Sequence, residues 1–281
     1  MPRAHFYQER VADWCEDIAN QCASPLSERA ELEERFKDKE ISYHELADFY
    51  LPENLGTYLD YGCGDFTFAR KVVSRVKDGY GVDVLARATS LPDRFQFLQI
   101  PISGELTFSD NFFDTISIIE VIEHVRMERP VLEELARVMK RGGTLVITTP
   151  HKGLLTWIDS GNWKVHFPIF HRWIHVFVLR DRENYEKTFG KQRQTELFGD
   201  LSGDRHKHYS VVELADLVPR SLRICKIRVS YPGMRLFWAI GLAGKLFPVN
   251  GNLFRFARLR RYLSRRFSRA GDQLVVVLTK T

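Results

Sequence analysis

Residues 57–65, Thr-Tyr-Leu-Asp-Tyr-Gly-Cys-Gly-Asp, restrict this chain more than any other stretch. Tyr58, Leu59 and Tyr61 read as a short buried strand running into a turn with glycine at Gly62 and Gly64. A helical pattern comes at once, with Phe68, Ala69, Val72, Val73 and Val76 recurring at i, i+3 and i+4. Glycine has no Cβ, so it permits positive φ and lets a ligand approach the backbone closely. The free N–H groups at the start of the next helix favour a negatively charged ligand group. Strand, glycine turn and helix form the first unit of a nucleotide-type α/β sheet. An ordinary βα turn shares this short pattern, so the assignment needs support from further along the chain.

Gly79-Tyr-Gly-Val-Asp83 reads as a second strand ending in a carboxylate about 20 residues after Gly62. A doubly wound fold places an acidic residue at that offset to bind ribose hydroxyls. Thr67 stands where the dinucleotide fingerprint has its third glycine, which disfavours a pyrophosphate cofactor. An adenosine cofactor without phosphate needs only the tight turn and the ribose carboxylate.

Further segments extend the pattern. They are Phe-Ser-Asp-Asn-Phe-Phe-Asp at 108–114, Glu-Val-Ile-Glu-His-Val at 120–125 and Arg-Gly-Gly-Thr-Leu-Val-Ile-Thr-Thr-Pro at 141–150. Together with 59–64 and 81–83, in this order, they resemble the motifs of class I S-adenosylmethionine-dependent methyltransferases. The resemblance implies an α/β, Rossmann-like fold: a seven-stranded, mainly parallel sheet with helices on both faces. It implies S-adenosylmethionine as cofactor, bound by Asp60, Tyr61, Gly62, Cys63, Gly64, Asp83, Val84 and Glu120. Many relatives carry an acidic residue for adenine after the third strand; here Ile102 and Ser103 occupy that loop, and adenine contact is expected there.

The expected organisation is a helical preface over 1–54 and a methyltransferase domain over 55–281 with insertions at 151–207 and 234–271. In the preface, Phe6, Val11, Trp14, Ile18 and Cys22 form a loose apolar stripe ended by Pro25, and Ser27 can cap a charged helix. Ser42 and Glu45 have the spacing of a capping box before Leu46, Phe49 and Tyr50. Such a preface borders the substrate mouth in the resembling family; plain packing on the sheet is the alternative. Strands are expected at 95–100, 113–119, 144–149, 222–229 and 273–279, the last two antiparallel. A helix punctuated by Pro130 and Gly142-Gly143 and a helix capped by Ser210 lie between them.

Methyl transfer needs an acceptor held in line with the methyl group and often a base for its proton. Glu120, Glu123 and His124 are i, i+3 and i+4, so one helical turn would gather them. Two carboxylates and an imidazole suit a divalent ion, and the arrangement resembles a Mg²⁺ site of quinone-biosynthesis O-methyltransferases and small-RNA 2′-O-methyltransferases. The same motif also occurs in relatives without metal, where the first glutamate lies near the cofactor. Six of the nine histidines fall between His151 and His208. His124, His151 and His208 are the candidate catalytic bases, with His206 an alternative to His208.

The first insertion is rich in aromatics, including Trp157, Trp163, Phe167, Phe170, Trp173 and Phe177, which fit a lid, an interfacial surface or a satellite core. Residues 149–153 and 163–168 resemble methyltransferases of bacterial surface-glycan and lipid-linked saccharide pathways. The net charge of +5 is local in origin, because nine Lys and Arg and no Asp or Glu lie between Met234 and Gly271. Residues 236–247 are apolar apart from Lys245 and too short to span a bilayer. Over 252–269, Leu253, Phe256, Leu259, Leu263 and Phe267 share one helical side and most arginines the other. A basic amphipathic helix with aromatics fits an anionic membrane interface. An RNA-binding arm, for which an apolar run is unneeded, and a partner-binding helix are the alternatives.

Cys15, Cys22, Cys63 and Cys225 lack metal-type spacing, and reduced thiols in a cytoplasmic protein are expected. The expectation as a whole is an O-methyltransferase acting on a small-molecule, glycan or lipid-linked acceptor, peripheral on the inner membrane face. A metal-dependent RNA 2′-O-methyltransferase and a non-catalytic scaffold are its rivals.

Overall fold

The computed structural model describes residues 42–85, 90–152, 168–178, 180, 182, 207–229 and 273–281. The amphipathic stripes of the preface before residue 42 and the basic insertion at 234–271 lie outside these residues. Domain boundaries are therefore followed only from the capped helix onward. That helix, α1 (Tyr43–Tyr50), begins where the sequence places it. The Ser42 side chain accepts from Glu45 N at 3.2 Å, and Glu45 returns the bond by accepting from Ser42 N at 3.0 Å. Its buried Leu46 and Ala47 pack on the sheet beside β4, β5 and β7, and Pro52 follows the stop.

The sheet has seven strands: β1 (Gly56–Tyr61), β2 (Val76–Asp83), β3 (Phe95–Gln99), β4 (Phe113–Ile119), β5 (Met139–Pro150), β6 (Leu222–Val229) and β7 (Gln273–Lys280). Their order is β3-β2-β1-β4-β5-β7-β6, with β7 antiparallel to both neighbours and β1 to β5 parallel. A near-continuous apolar run such as Phe113–Ile119 is what a strand covered on both faces requires. One face carries α3 (Glu128–Val138) and α5 (Val211–Leu217), whose Leu132, Leu135 and Leu214 pack onto Leu59, Ile116 and Ile147. The other carries α1 and α2 (Thr67–Val72), whose Phe68 and Val72 share a core with Tyr58, Phe66 and Val146. Ser210 caps α5 through a second capping box, with Glu213 N donating to its hydroxyl at 3.2 Å.

Two boundaries differ from the sequence pattern. Val73 and Val76 do not extend α2: the chain tightens into a 3₁₀ turn at Val73–Arg75, and Val76 opens β2. The cause is pairing, since Val76 stands in register with Gly56 and Leu55 N donates to Arg75 O at 3.0 Å. Likewise β5 begins at Met139, paired with Phe113, and runs through Gly142-Gly143 rather than after them.

Arg137 on α3 fastens the 106–110 loop. It donates to Leu106 O at 3.0 Å, Phe108 O at 2.9 Å, Asp110 at 2.6 Å and Glu134 at 2.7 Å. A single guanidinium satisfying two carbonyls and two carboxylates is expected to stabilise the fold by about 1–2 kcal/mol after solvent screening. Arg137→Ala should lower the urea midpoint by the corresponding amount. An unchanged midpoint would mean that water replaces these bonds at no net cost.

Among the described residues, no helix is long and apolar enough to cross a membrane.

Candidate functional site

The order of strands reverses between β1 and β4, and in open α/β sheets ligands bind beyond the carboxyl ends of the strands at such a reversal. There β1 ends in the glycine turn, and Gly62 N and Cys63 N both donate to Val82 O, at 2.8 and 3.1 Å. Gly62 has φ +76°, and a Cβ on it would collide with the Val121 side chain just past β4. Glycine is thus needed twice over at this position, for its dihedral and for the contact between the two loops.

Asp83 ends β2 and is bound into the same unit. Its Oδ2 accepts from Gly64 N at 3.0 Å and its Oδ1 from Leu85 N at 2.9 Å. The offset read from the sequence has become a direct contact between carboxylate and glycine turn. Asp60 lies beneath, 3% exposed, where its Oδ1 accepts from the Ser117 hydroxyl at 3.0 Å. Ser117 Oγ in turn lies 2.5 Å from the Tyr58 hydroxyl. Burial pushes the Asp60 carboxyl up to about 7, with the Asp83 charge adding to the rise and Ser117 opposing it.

The other residues expected at the cofactor divide by exposure. Tyr61 and Cys63 have buried side chains, so they offer backbone and not side-chain groups. Val84 is half-buried beside Asp83. Ile102, 66% exposed, and Ser103 lie on the open loop after β3, where Gly104 N closes a turn on Pro101 O at 2.9 Å. An exposed branched apolar side chain on the loop after β3, the strand paired with β2, suits the face of an adenine ring. The glycine cradle, the anchored Asp83 and this apolar loop together fit an adenosyl cofactor.

The segment past β4 corrects one expectation. Glu120 adopts φ +54°, and only Ile122–His124 forms a 3₁₀ turn, so Glu120, Glu123 and His124 do not share one helical turn. Glu120 accepts from Gln273 Nε2 at 3.1 Å, toward β7. Glu123 is 2% exposed and accepts from Thr149 Oγ1 at 3.2 Å, toward β5. Burial, and then the Glu120 charge, raise the Glu123 carboxyl well above its ordinary range. Among the described residues, no three His, Cys, Asp or Glu side chains converge as metal ligands. The set Glu120, Glu123 and His124 expected for Mg²⁺ is not gathered as such a group.

His124 sits partly exposed with Nε2 at 3.9 Å from Glu123 Oε1. His151 follows β5 directly and pairs with Tyr209 in an isolated bridge, which brings the half-buried His208 to the same edge. His206 lies outside the described residues.

Sequence reading missed the residues that hold this edge together. Tyr209 N donates to Pro150 O at 3.0 Å, and its carbonyl accepts from Lys152 N at 2.8 Å. Its hydroxyl reaches Ile122 O at 3.2 Å and Glu128 at 3.0 Å. Lys207 adds bonds to Val125 O and Glu128, each at 2.8 Å. Both ends of the first insertion are therefore tied to the rim that carries His124 and His151. Tyr43, the first residue of α1, borders the acidic rim: burial, then the charges of Glu120, Asp65 and Glu123, raise its phenol above the ordinary value. Only the capping box at Ser42 hinted at where that side chain would start the helix.

A profile described as a methyltransferase domain matches residues 4–213. An uncharacterized protein of Methanocaldococcus jannaschii is 30% identical over 121 residues, 42% of this chain and 56% of the relative. The match thus spans about half the length of that relative. Among solved structures, an S-adenosylmethionine-dependent methyltransferase of Mesorhizobium loti superposes with TM-score 0.52 at 16% identity, covering 85% of this chain and 98% of the other. The methyltransferase partner in a complex with the Haloferax volcanii Trm112 methyltransferase activator gives 0.51 at 19%, covering 90% and 94%. At these identities the likeness to the two structures is one of fold.

Proposed function

Since the chain belongs to the class I S-adenosylmethionine-dependent methyltransferases, we propose that it methylates a hydroxyl of a small, glycan or lipid-linked acceptor met at the cytoplasmic membrane face. The bound cofactor supplies an electrophilic methyl group on a sulfonium sulfur. Everything else falls to the chain's own side chains. The Gly62–Gly64 turn and Asp83 hold the adenosyl end, and Ile102 with Ser103 flanks the base. The rim beyond β4 and β5 then takes the acceptor. As the acceptor oxygen bonds to the methyl carbon and the carbon–sulfur bond breaks, the hydroxyl proton passes to an imidazole nitrogen of His124 or His151.

One observation carries this reading. The His124 and His151 segments lie at the same sheet edge as the Gly62–Asp83 unit and are joined by the Glu123–Thr149 bond and by Tyr209. An imidazole there is a base for a hydroxyl, whose proton must leave at some stage of transfer. The surface-glycan resemblance of 149–153 and the apolar run at 236–247 support a lipid-linked acceptor.

The test is transfer of tritiated methyl from S-adenosylmethionine into membranes of the source cells. Label should enter the organic-soluble fraction and survive alkali, as an ether does. Label confined to RNA or protein would overturn the reading. His124→Gln and His151→Gln separate the roles. The base variant should slow transfer by about 10²–10⁴-fold with cofactor affinity unchanged, whereas the other should raise mainly the acceptor KM.

A further inference from the structure

Within the first insertion, α4 (Pro168–Trp173) continues as a π-helical turn at Ile174–Val178. Ile174 points inward at 3% exposure. Ile169, Phe170, Trp173 and Phe177 stay in solvent, at 86, 49, 48 and 67% exposure. Their spacing of three and four residues places them in one stripe. The rings of Phe170 and Trp173 stack at 6.1 Å with 10° between planes, and Phe177 follows Trp173 at 6.3 Å. Exposed Arg172, Arg180 and Arg182 flank them.

We infer that this stripe is a docking face for an anionic lipid surface, entered by Ile169, Phe170, Trp173 and Phe177 with the arginines at headgroup level. Aromatic rings and an aliphatic tip beside cations match the acyl boundary of a bilayer with acidic headgroups. A second copy of the chain fits less well, because an isologous contact would bring the arginine flanks of two copies together. Single-stranded nucleic acid also pairs arginine with aromatics, but it needs free ring faces. Here the most exposed member, Ile169, has no ring and cannot stack. Docking of this face on a lipid surface would suit the lipid-linked acceptor proposed above. In that respect the inference rests on the lipid-linked reading above.

The experiment is flotation of the full-length protein with vesicles of phosphatidylcholine alone or mixed with phosphatidylglycerol. Three proteins are compared: wild type, Ile169→Ser/Phe170→Ser/Trp173→Ser/Phe177→Ser, and Arg172→Glu/Arg180→Glu. All four apolar positions are exposed, so cofactor binding by calorimetry should stay intact and serve as the folding control. Wild type should float with the anionic vesicles. The apolar variant should lose binding by about tenfold or more, and the charge variant should lose only the anionic preference. Flotation undiminished in the apolar variant, as when residues 234–271 alone carry it, would overturn this face and leave the lipid-linked reading standing. Wild type failing to float would overturn both. A dimer abolished by the apolar variant, or oligonucleotide affinity lost without change in flotation, would assign the face to a second copy or to nucleic acid instead.

Discussion

Asp83→Ala is expected to weaken S-adenosylmethionine binding about 100-fold or more, measured by isothermal calorimetry, with the protein still folded. The carboxylate has two tasks. It accepts from Gly64 N and Leu85 N, fixing the turn against the end of β2, and in the proposed reading its remaining lone pairs take the ribose hydroxyls. Hydrogen bonds to a charged group contribute about 1.5–3 kcal/mol each, so losing one to a ribose hydroxyl and loosening the turn reaches the hundredfold range. Asp83→Asn sharpens the reading. Its amide oxygen can keep one backbone bond, yet its NH₂ group would face Gly64 N or Leu85 N as a second donor. An intermediate loss is expected. Affinity unchanged in Asp83→Ala would mean that the cofactor is held elsewhere, and the role given to Ile102 and Ser103 would fall with it.

How much of this site the sequence discloses depends on the range of the interactions that make it. Both capping boxes, Ser42 with Glu45 and Ser210 with Glu213, are legible because each closes within three residues. The pair formed by Gly64 and Asp83 is legible at longer range because the βαβ unit fixes their offset. The buried run of β4 reads directly as a strand covered on two faces. What fails to read is decided by strand pairing or by single dihedrals. Val73 and Val76 satisfy a helical period, yet the register with Gly56 draws Val76 into β2. Glu120, Glu123 and His124 have ligand spacing on an unbroken helix, but the left-handed backbone at Glu120 interrupts the helical turn that would have carried all three. Thr149, Gln273 and Tyr209, which engage those glutamates and the segment around them, come from strands or loops far along the chain. No local pattern marks them.

This division has a chemical consequence. The cofactor half of the site is built from near-sequence elements that bond to one another through backbone N–H groups. In the proposed reading the acceptor half would be formed by the turn after β4, the end of β5 and the 207–209 segment, which Lys207, Glu128 and Tyr209 tie together. Variation in the insertion between 152 and 207 can therefore change what is methylated while the cofactor turn stays as it is.

Asp60 should make the fold lose stability as pH rises from about 4 to 7, against His44, Glu128, Glu134 and Glu213, whose lowered values act with the opposite sign. The Asp60 carboxyl ordinarily titrates at 3.8 and is raised to about 7 by burial among Tyr58 and Ser117, with Asp83 as the neighbouring charge. A raised carboxyl binds its proton more tightly in the folded state than in the unfolded one. The folded state is thus favoured below 3.8, and that advantage is lost progressively up to about 7. At 1.36 kcal/mol per unit, the full span amounts to about 4 kcal/mol as an upper figure. Glu123, also raised by burial, acts with the same sign, so wild type alone does not isolate Asp60. Asp60→Asn does: the amide keeps the shape and an oxygen for Ser117 but cannot ionise. Urea unfolding across this range should give a flatter profile for Asp60→Asn, the two curves diverging above pH 4 with the variant the more stable near neutrality. Parallel profiles would place the titration elsewhere. They would also mean that Asp60 is ionised throughout this range.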